Sequence, residues 1–120
     1  ATGVNQLERA IRVMNEWQNE PGTAIVLHLS SPETDLPRPL GGPCLQLLQL
    51  HAKDGRLDVT AIYRNHDYFN KALPNFIGLG GLLEFICKAT DRQVGSLTCH
   101  SGHAYSSAGK LALRRLVESI

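Results

Sequence analysis

Charge of one sign is what this sequence most lacks. Twelve Lys and Arg against eleven Asp and Glu leave a net charge of +1 over 120 residues. The cations are scattered, with no basic stripe of the kind that tracks a phosphate backbone, so nucleic-acid polymers are not expected partners. No apolar run approaches the roughly 20 residues that span a bilayer, and the start "ATGVNQLER" has no signal-peptide apolar region. A cytoplasmic protein without a membrane partner is therefore expected. Cysteine is scarce and odd in number: Cys44, Cys87 and Cys99 lack framework spacing, which suits a reducing compartment better than a disulfide scaffold. Low-complexity runs and internal repeats are missing too. With 42% apolar and 19% charged residues, the chain is expected to fold as one domain over residues 1–120.

What is present reads as mixed α and β. Val4, Leu7, Ile11, Met14 and Trp17 recur at helical spacing, predicting an amphipathic helix over Val4–Gln18 that "NEPG" breaks. "TAIVLHL" reads as a short, largely buried strand, and "SSPETDLPRPLGGP" as a long loop. "CLQLLQLHA" and "RLDVTAIYR" flank "KDG", whose Asp-Gly pair favours a tight hairpin turn because glycine accepts positive φ at little cost. "FIGLGGLLEFICKAT" is apolar almost all the way round and predicts a buried central helix, its glycines marking close approach of other backbones. "QVGSLTCHSGHAY" predicts a further strand and loop. "SAGKLALRRLVESI" predicts a last helix with Leu113, Leu116, Val117 and Ile120 inward and a solvated basic face of Lys110, Arg114 and Arg115.

The hairpin carries the first chemical signal. A two-residue turn at Asp54-Gly55 places Cys44 opposite Asn65 with Arg64 beside it, whereas a three-residue turn places Cys44 opposite Arg64. Either register brings thiol and guanidinium together, since facing Cβ atoms on paired strands lie about 4.5–5.5 Å apart. A permanent positive charge favours thiolate, the nucleophilic form, and a guanidinium could also hold a phosphate over the sulfur. The plainer alternative is a packed cysteine and a surface arginine.

Other constellations read as structural. Cys99, His100 and His103 could suit zinc, yet no second ligand pair stands at finger-like spacing, so no metal is expected. His66 beside Asp67 could be a base and its orienter, but neighbours on a strand point to opposite faces, and a solvated loop histidine is expected. Cys87 reads as core.

The order Pro43-Cys44, a hairpin, "YRNHD" and Asn75 before an apolar helix resembles the C-terminal half of thymidylate synthase. Pro43-Cys44, Arg64, Asp67 and Asn75 align with that family's motifs without a gap, "LERAIRVMNEWQNEPGTAIVLHL" aligns with its helix-Pro-strand lead-in, and "HAYS" at His103–Ser106 resembles its His-x-Tyr element after a deletion of about two residues. The resemblance implies a thymidylate-synthase-like α/β (α+β) fold, with a mixed or antiparallel sheet packed on the central helix and a homodimer formed through the backs of two sheets. It implies one-carbon transfer from methylenetetrahydrofolate to C5 of a dUMP-like pyrimidine nucleoside monophosphate through a Cys44 adduct. By position Cys44 is then the nucleophile, Arg64 the phosphate anchor with Asn65 beside it, Asn75 the base reader, His103 and Tyr105 the sugar contacts, and Asp67 the organiser of the ring and folate side. Two arginines that the family takes from a partner subunit correspond here to Ala24 and Ile25. Leu45 replaces the histidine after the nucleophile. The family's N-terminal half has no counterpart in these residues. The chain thus reads as a domain of a longer enzyme, a minimal relative with altered chemistry, or a non-catalytic nucleotide-binding or dimerisation module.

Overall fold

The computed structural model describes residues 3–17, 24–35 and 43–120. In chain order these form helix α1 (Gln6–Glu16), strands β1 (Ile25–His28), β2 (Leu45–Lys53), β3 (Arg56–Tyr63) and β4 (His66–Asp67), helix α2 (Ala72–Ala89), strands β5 (Gln93–Ser101) and β6 (Ala104–Tyr105), and helix α3 (Lys110–Glu118). The α+β expectation holds. A mixed sheet runs β1-β2-β3-β5, antiparallel at its first two junctions and parallel between β3 and β5, while β4 and β6 form a separate parallel pair. Parallel neighbours need a long crossover, and α2 supplies it. The "NEPG" break and residues 36–42 of the expected long loop lie outside the described residues.

The hairpin combines both registers allowed by the sequence. Asp54 and Gly55 both have positive φ, 52° and 72°, and Lys53 faces Arg56, so the turn has two residues and the twist that suits a hairpin. Gln46 then forms a bulge: Leu47 pairs with Ile62 but Leu45 with Tyr63. The extra residue shifts the register by one, and Arg64 N donates to Cys44 O at 2.9 Å. A bulge of this kind re-aims side chains at a strand end. Here it brings Cys44 directly opposite Arg64.

Strand alternation sorts the sheet into two faces. Leu27, Leu48, Leu50, Ala52, Leu57, Val59, Ala61 and Tyr63 share the buried face with Ala10 and Met14 of α1 and Leu79, Leu83, Ile86 and Cys87 of α2. The other face carries Leu47, Thr60 and Ile62, all partly exposed. β1 is an edge strand and buries only Leu27. Its backbone edge is blunted by Gln6, whose side chain donates to His28 O (2.7 Å) and accepts from His28 N (2.8 Å). Asn5 caps α1 by accepting from Glu8 N, and Asn15 donates to Ala89 O, tying α1 to the end of α2.

Two helices bury less than their composition suggests. By length and composition alone α2 could cross a membrane, but one face inserts into the core while Leu73, Ile77 and Phe85 on the other are more than half exposed. Side chains added at Gly78, Gly80 or Gly81 would meet no neighbouring atom within 4 Å. Among the described residues, then, these glycines do not mark the close packing expected of "GLGG". In α3 nothing is fully buried; Val117 is 70% and Ile120 98% exposed, so of the expected inward stripe of Leu113, Leu116, Val117 and Ile120 only Leu113 is partly covered among the described residues.

Close approach does govern Gly95, where β5 bulges past Asp58. Asp58 Oδ1 accepts from Ser96 N (2.6 Å) and Ser96 Oγ (2.9 Å), which holds its carboxyl below the usual range. A Cβ on Gly95 would collide with that carboxylate and lie 2.6 Å from Leu57 O, which is backbone and cannot swing aside. Gly95→Ala is expected to destabilise the fold by about 1–3 kcal/mol in denaturant unfolding, whereas Gly81→Ala, facing open space within an exposed helix surface, is expected to be neutral or stabilising.

Candidate functional site

The ends of β2 and β3 assemble the first part of the site. Cys44 and Arg64 are half-buried, joined through their main chains by the bulge-shifted register. The guanidinium reinforces this, with Arg64 Nε donating to Pro43 O at 3.0 Å. The arginine therefore lies along the Pro43-Cys44 peptide, and Asn65 follows it, half-buried, in the bend before β4.

The short β4–β6 ladder assembles the second part. Gly102 N donates to Tyr63 O, His66 N to His103 O and Tyr68 N to Tyr105 O, each at 2.9 Å. These bonds lay "HAY" alongside "HDY", with the rings of His103 and Tyr105 stacked at 5.6 Å. Asn75, in the first turn of α2, reaches back to the same ladder and places its Nδ2 3.1 Å from His66 Nε2. The phenol of Tyr63 is pushed up, first by burial and then by the charges that Cys99 and Cys44 would carry. Contacts thus lead from Tyr63 through His66 to Asn75, while Cys44 packs against the core that includes Tyr63.

Comparison with known proteins finds relatives of a single name. A protein from Methanothermobacter thermautotrophicus named a putative thymidylate synthase is 33% identical over 103 residues, 86% of this chain and 45% of its own length. One of the same name from Methanocaldococcus jannaschii is 31% identical over 106 residues, 85% of this chain and 48% of its own. Over most of its length the chain is similar to these thymidylate-synthase-named proteins, as the resemblance implies. It spans a little under half the length of the curated relatives it matches. No family model matches it.

Three features of the structure bear on that resemblance. Ile25 packs against the core from β1 and Ala24 precedes it, so neither offers a phosphate the charge that the family's arginine pair would. Asp67 is buried, and its carboxylate is turned into its own loop: Oδ1 accepts from Phe69 N, Asn70 N and Ser107 N, and Oδ2 from Asn70 Nδ2. The Ser107 hydroxyl, then these backbone donors, hold its carboxyl below the usual range against the opposing pull of burial. Asp67 closes the loop that carries the site instead of facing a ring. Third, among the described residues no group of three His, Cys, Asp or Glu side chains is placed to hold a metal; alternation along β5 turns Cys99 and His100 to opposite faces.

His66 is the largest departure. Expected in solvent, it is only 2% exposed, because the β4–β6 ladder turns it inward. Its ring stacks on Tyr63 at 4.2 Å and 7°, meets Tyr68 and Phe76 at an angle, and places Nδ1 3.0 Å from Ser101 Oγ and 3.8 Å from Cys99 Sγ. The sequence offered no signal for this, since the contacts come from four different elements. Burial holds the imidazole below its usual range, against a smaller upward pull from Asp67. Because the folded state resists the proton that the unfolded chain accepts near pH 6.5, stability is expected to fall as pH drops from about 6.5 through the depressed folded value, and to level off below it. Chemical denaturation across that window tests this: His66→Phe should flatten the slope, and an unchanged slope would assign the acid sensitivity elsewhere.

Proposed function

We propose that this chain supplies the nucleotide half of a thymidylate-synthase-like active site, in which Cys44 adds to C6 of a pyrimidine nucleoside monophosphate. The observation that carries this reading is the Arg64 N to Cys44 O bond, which the bulge creates and which sets the candidate nucleophile beside the candidate phosphate anchor. In the proposed step the sulfur–C6 bond forms as the C5=C6 electron pair moves toward C5 and O4, leaving C5 nucleophilic. Arg64, with Asn65 beside it, anchors the phosphate; Asn75 reads the base edge, its amide able both to donate and to accept. His103 and Tyr105 hold the sugar.

The resemblance implies methylenetetrahydrofolate as one-carbon donor. Asp67, the residue assigned to the folate side, does not fit that role here, since its carboxylate oxygens are engaged by Phe69 and Asn70 of its own loop and by Ser107. No step is therefore routed through the folate. The same feature, with Ala24 and Ile25 in place of cations, favours a second reading as a non-catalytic nucleotide-binding module. Intact-mass measurement with dUMP, its 5-fluoro analogue and the corresponding cytosine nucleotides, each with and without methylenetetrahydrofolate, separates the two: binding without any covalent adduct selects the module.

A homodimer through the open sheet face completes the proposal, in a cytoplasmic protein. Leu47 and Ile62 lie there partly exposed. Light scattering at micromolar concentration is expected to give a dimer, and Ile62→Arg a monomer with unchanged circular dichroism; a monomeric parent protein would refute this part.

A further inference from the structure

One chain of side chains inside the site has its hydrogen-bond polarity tied to which end of the Asn75 amide faces His66. Asn75 Nδ2 lies 3.1 Å from His66 Nε2, His66 Nδ1 lies 3.0 Å from Ser101 Oγ, and Ser101 Oγ lies 3.1 Å from the Tyr68 hydroxyl. With the Asn75 amide assigned this way round, its nitrogen only donates, which assigns Nε2 as the accepting nitrogen and the ring proton to Nδ1, directed at Ser101 Oγ. Moving the ring proton to Nε2 reverses both bonds at the ring: Asn75 turns its Oδ1 to Nε2–H, and Ser101 donates to Nδ1. Tautomer and amide orientation form one two-state element.

We propose that His66 is a positioning residue whose tautomer decides which way round the Asn75 amide meets a pyrimidine, and so which base the site prefers. The proposal rests on the reading of Asn75 as base reader. Its chemistry is that uracil presents an acceptor at O4 beside a donor at N3, while cytosine presents a donor at N4 beside an acceptor at N3. Turning a carboxamide over exchanges its own donor and acceptor, hence the base it matches. A mismatched edge leaves buried polar groups unpaired, which is the strongest basis for discrimination between such analogues.

The surroundings keep the element in its present state at neutral pH. Tyr63 of β3, Tyr68 of the loop after β4 and Phe76 of α2 enclose the ring, Cys99 of β5 lies beside Nδ1, and Asp67 is the carboxylate next to it. Desolvation by these neighbours outweighs the carboxylate and keeps the ring neutral. A second proton would make both ring nitrogens donors and force Oδ1 of Asn75 inward.

Two measurements test the proposal separately. Nitrogen NMR of the labelled free protein is expected to show the Nδ1–H tautomer, with the Asn75 side-chain amide shifting as His66 titrates. An Nε2–H tautomer, or an Asn75 amide indifferent to pH and to His66→Phe, overturns the coupling whatever the protein binds. Calorimetry with dUMP and dCMP is expected to show a preference of roughly tenfold or more that narrows or inverts on acidification. His66→Phe, which keeps the ring stacked on Tyr63, should lose both the preference and its pH dependence. His66→Gln, whose Oε1 can accept from Asn75 in place of Nε2, should recover the preference without the pH dependence, which loss of fold would not do. Equal ratios in parent and both variants overturn the base-selecting role. Failure of the parent protein to bind either nucleotide overturns the functional reading, and base selection with it, while the NMR result decides the coupling alone.

Discussion

Incubated with dUMP or its 5-fluoro analogue, the intact protein is expected to gain the mass of one nucleotide, and Cys44→Ser to gain none. Serine keeps the size of the side chain but not an accessible nucleophilic anion, so loss of the adduct with retained nucleotide binding isolates the chemistry of the sulfur. The other two thiols sharpen the experiment. Burial pushes both Cys87 and Cys99 up, for Cys87 against a smaller opposing pull from Arg92 and for Cys99 against a hydrogen bond with Ser101. Near neutral pH they remain thiols and are poor competitors. An adduct that survives in Cys44→Ser, or maps to Cys99, would sink the assignment of Cys44. Arg64→Ala is expected to weaken nucleotide binding by about tenfold to a hundredfold, the range for loss of a charge-assisted hydrogen bond. Because Arg64 Nε also holds Pro43 O, nucleoside binding serves as the control: a lost phosphate contact spares the nucleoside, whereas a distorted Cys44 weakens both.

The largest effect on stability is expected at Ile86, which is completely buried where α2 crosses the sheet. Ile86→Ala removes apolar atoms from a place where strands on one side and helix backbone on the other limit collapse, and a loss of about 2–5 kcal/mol is expected in urea unfolding. Ile77, on the same helix, is 67% exposed, and Ile77→Ala is expected to cost under about 0.5 kcal/mol. Equal costs at the two positions would mean that the outer face of α2 is covered in solution, by a second copy or by a further part of a longer protein. The half-length match to the relatives makes that contrast informative.

Much of this protein was legible as sequence because the signals were local. Asp54-Gly55 dictated the hairpin, since both residues tolerate the positive φ that the turn requires. Alternation along Leu57, Val59, Ala61 and Tyr63 marked the buried face of β3, and helical spacing of Leu7, Ile11 and Met14 marked α1. Cys44 and Arg64 stood out from the hairpin count, whereas Asp67, Asn75, His103 and Tyr105 stood out only through the resemblance to thymidylate synthase. Tertiary structure alone decided how these meet. Whether Cys44 faces Arg64 or Asn65 turned on a single bulge at Gln46, whose carbonyl accepts from Leu29 N just past the end of β1, a long-range contact that turn chemistry cannot encode. The inward turn of His66 and the capture of Asp67 by Ser107 depend on a parallel pairing between segments about 40 residues apart. Apolar composition suggested that α2 was covered all round and that α3 packed inward, yet burial is a property of facing partners, and the described residues supply one face for α2 and no full cover for α3. Periodicity within a segment follows from its own residues; the environment of a side chain follows from which distant segment the fold brings against it.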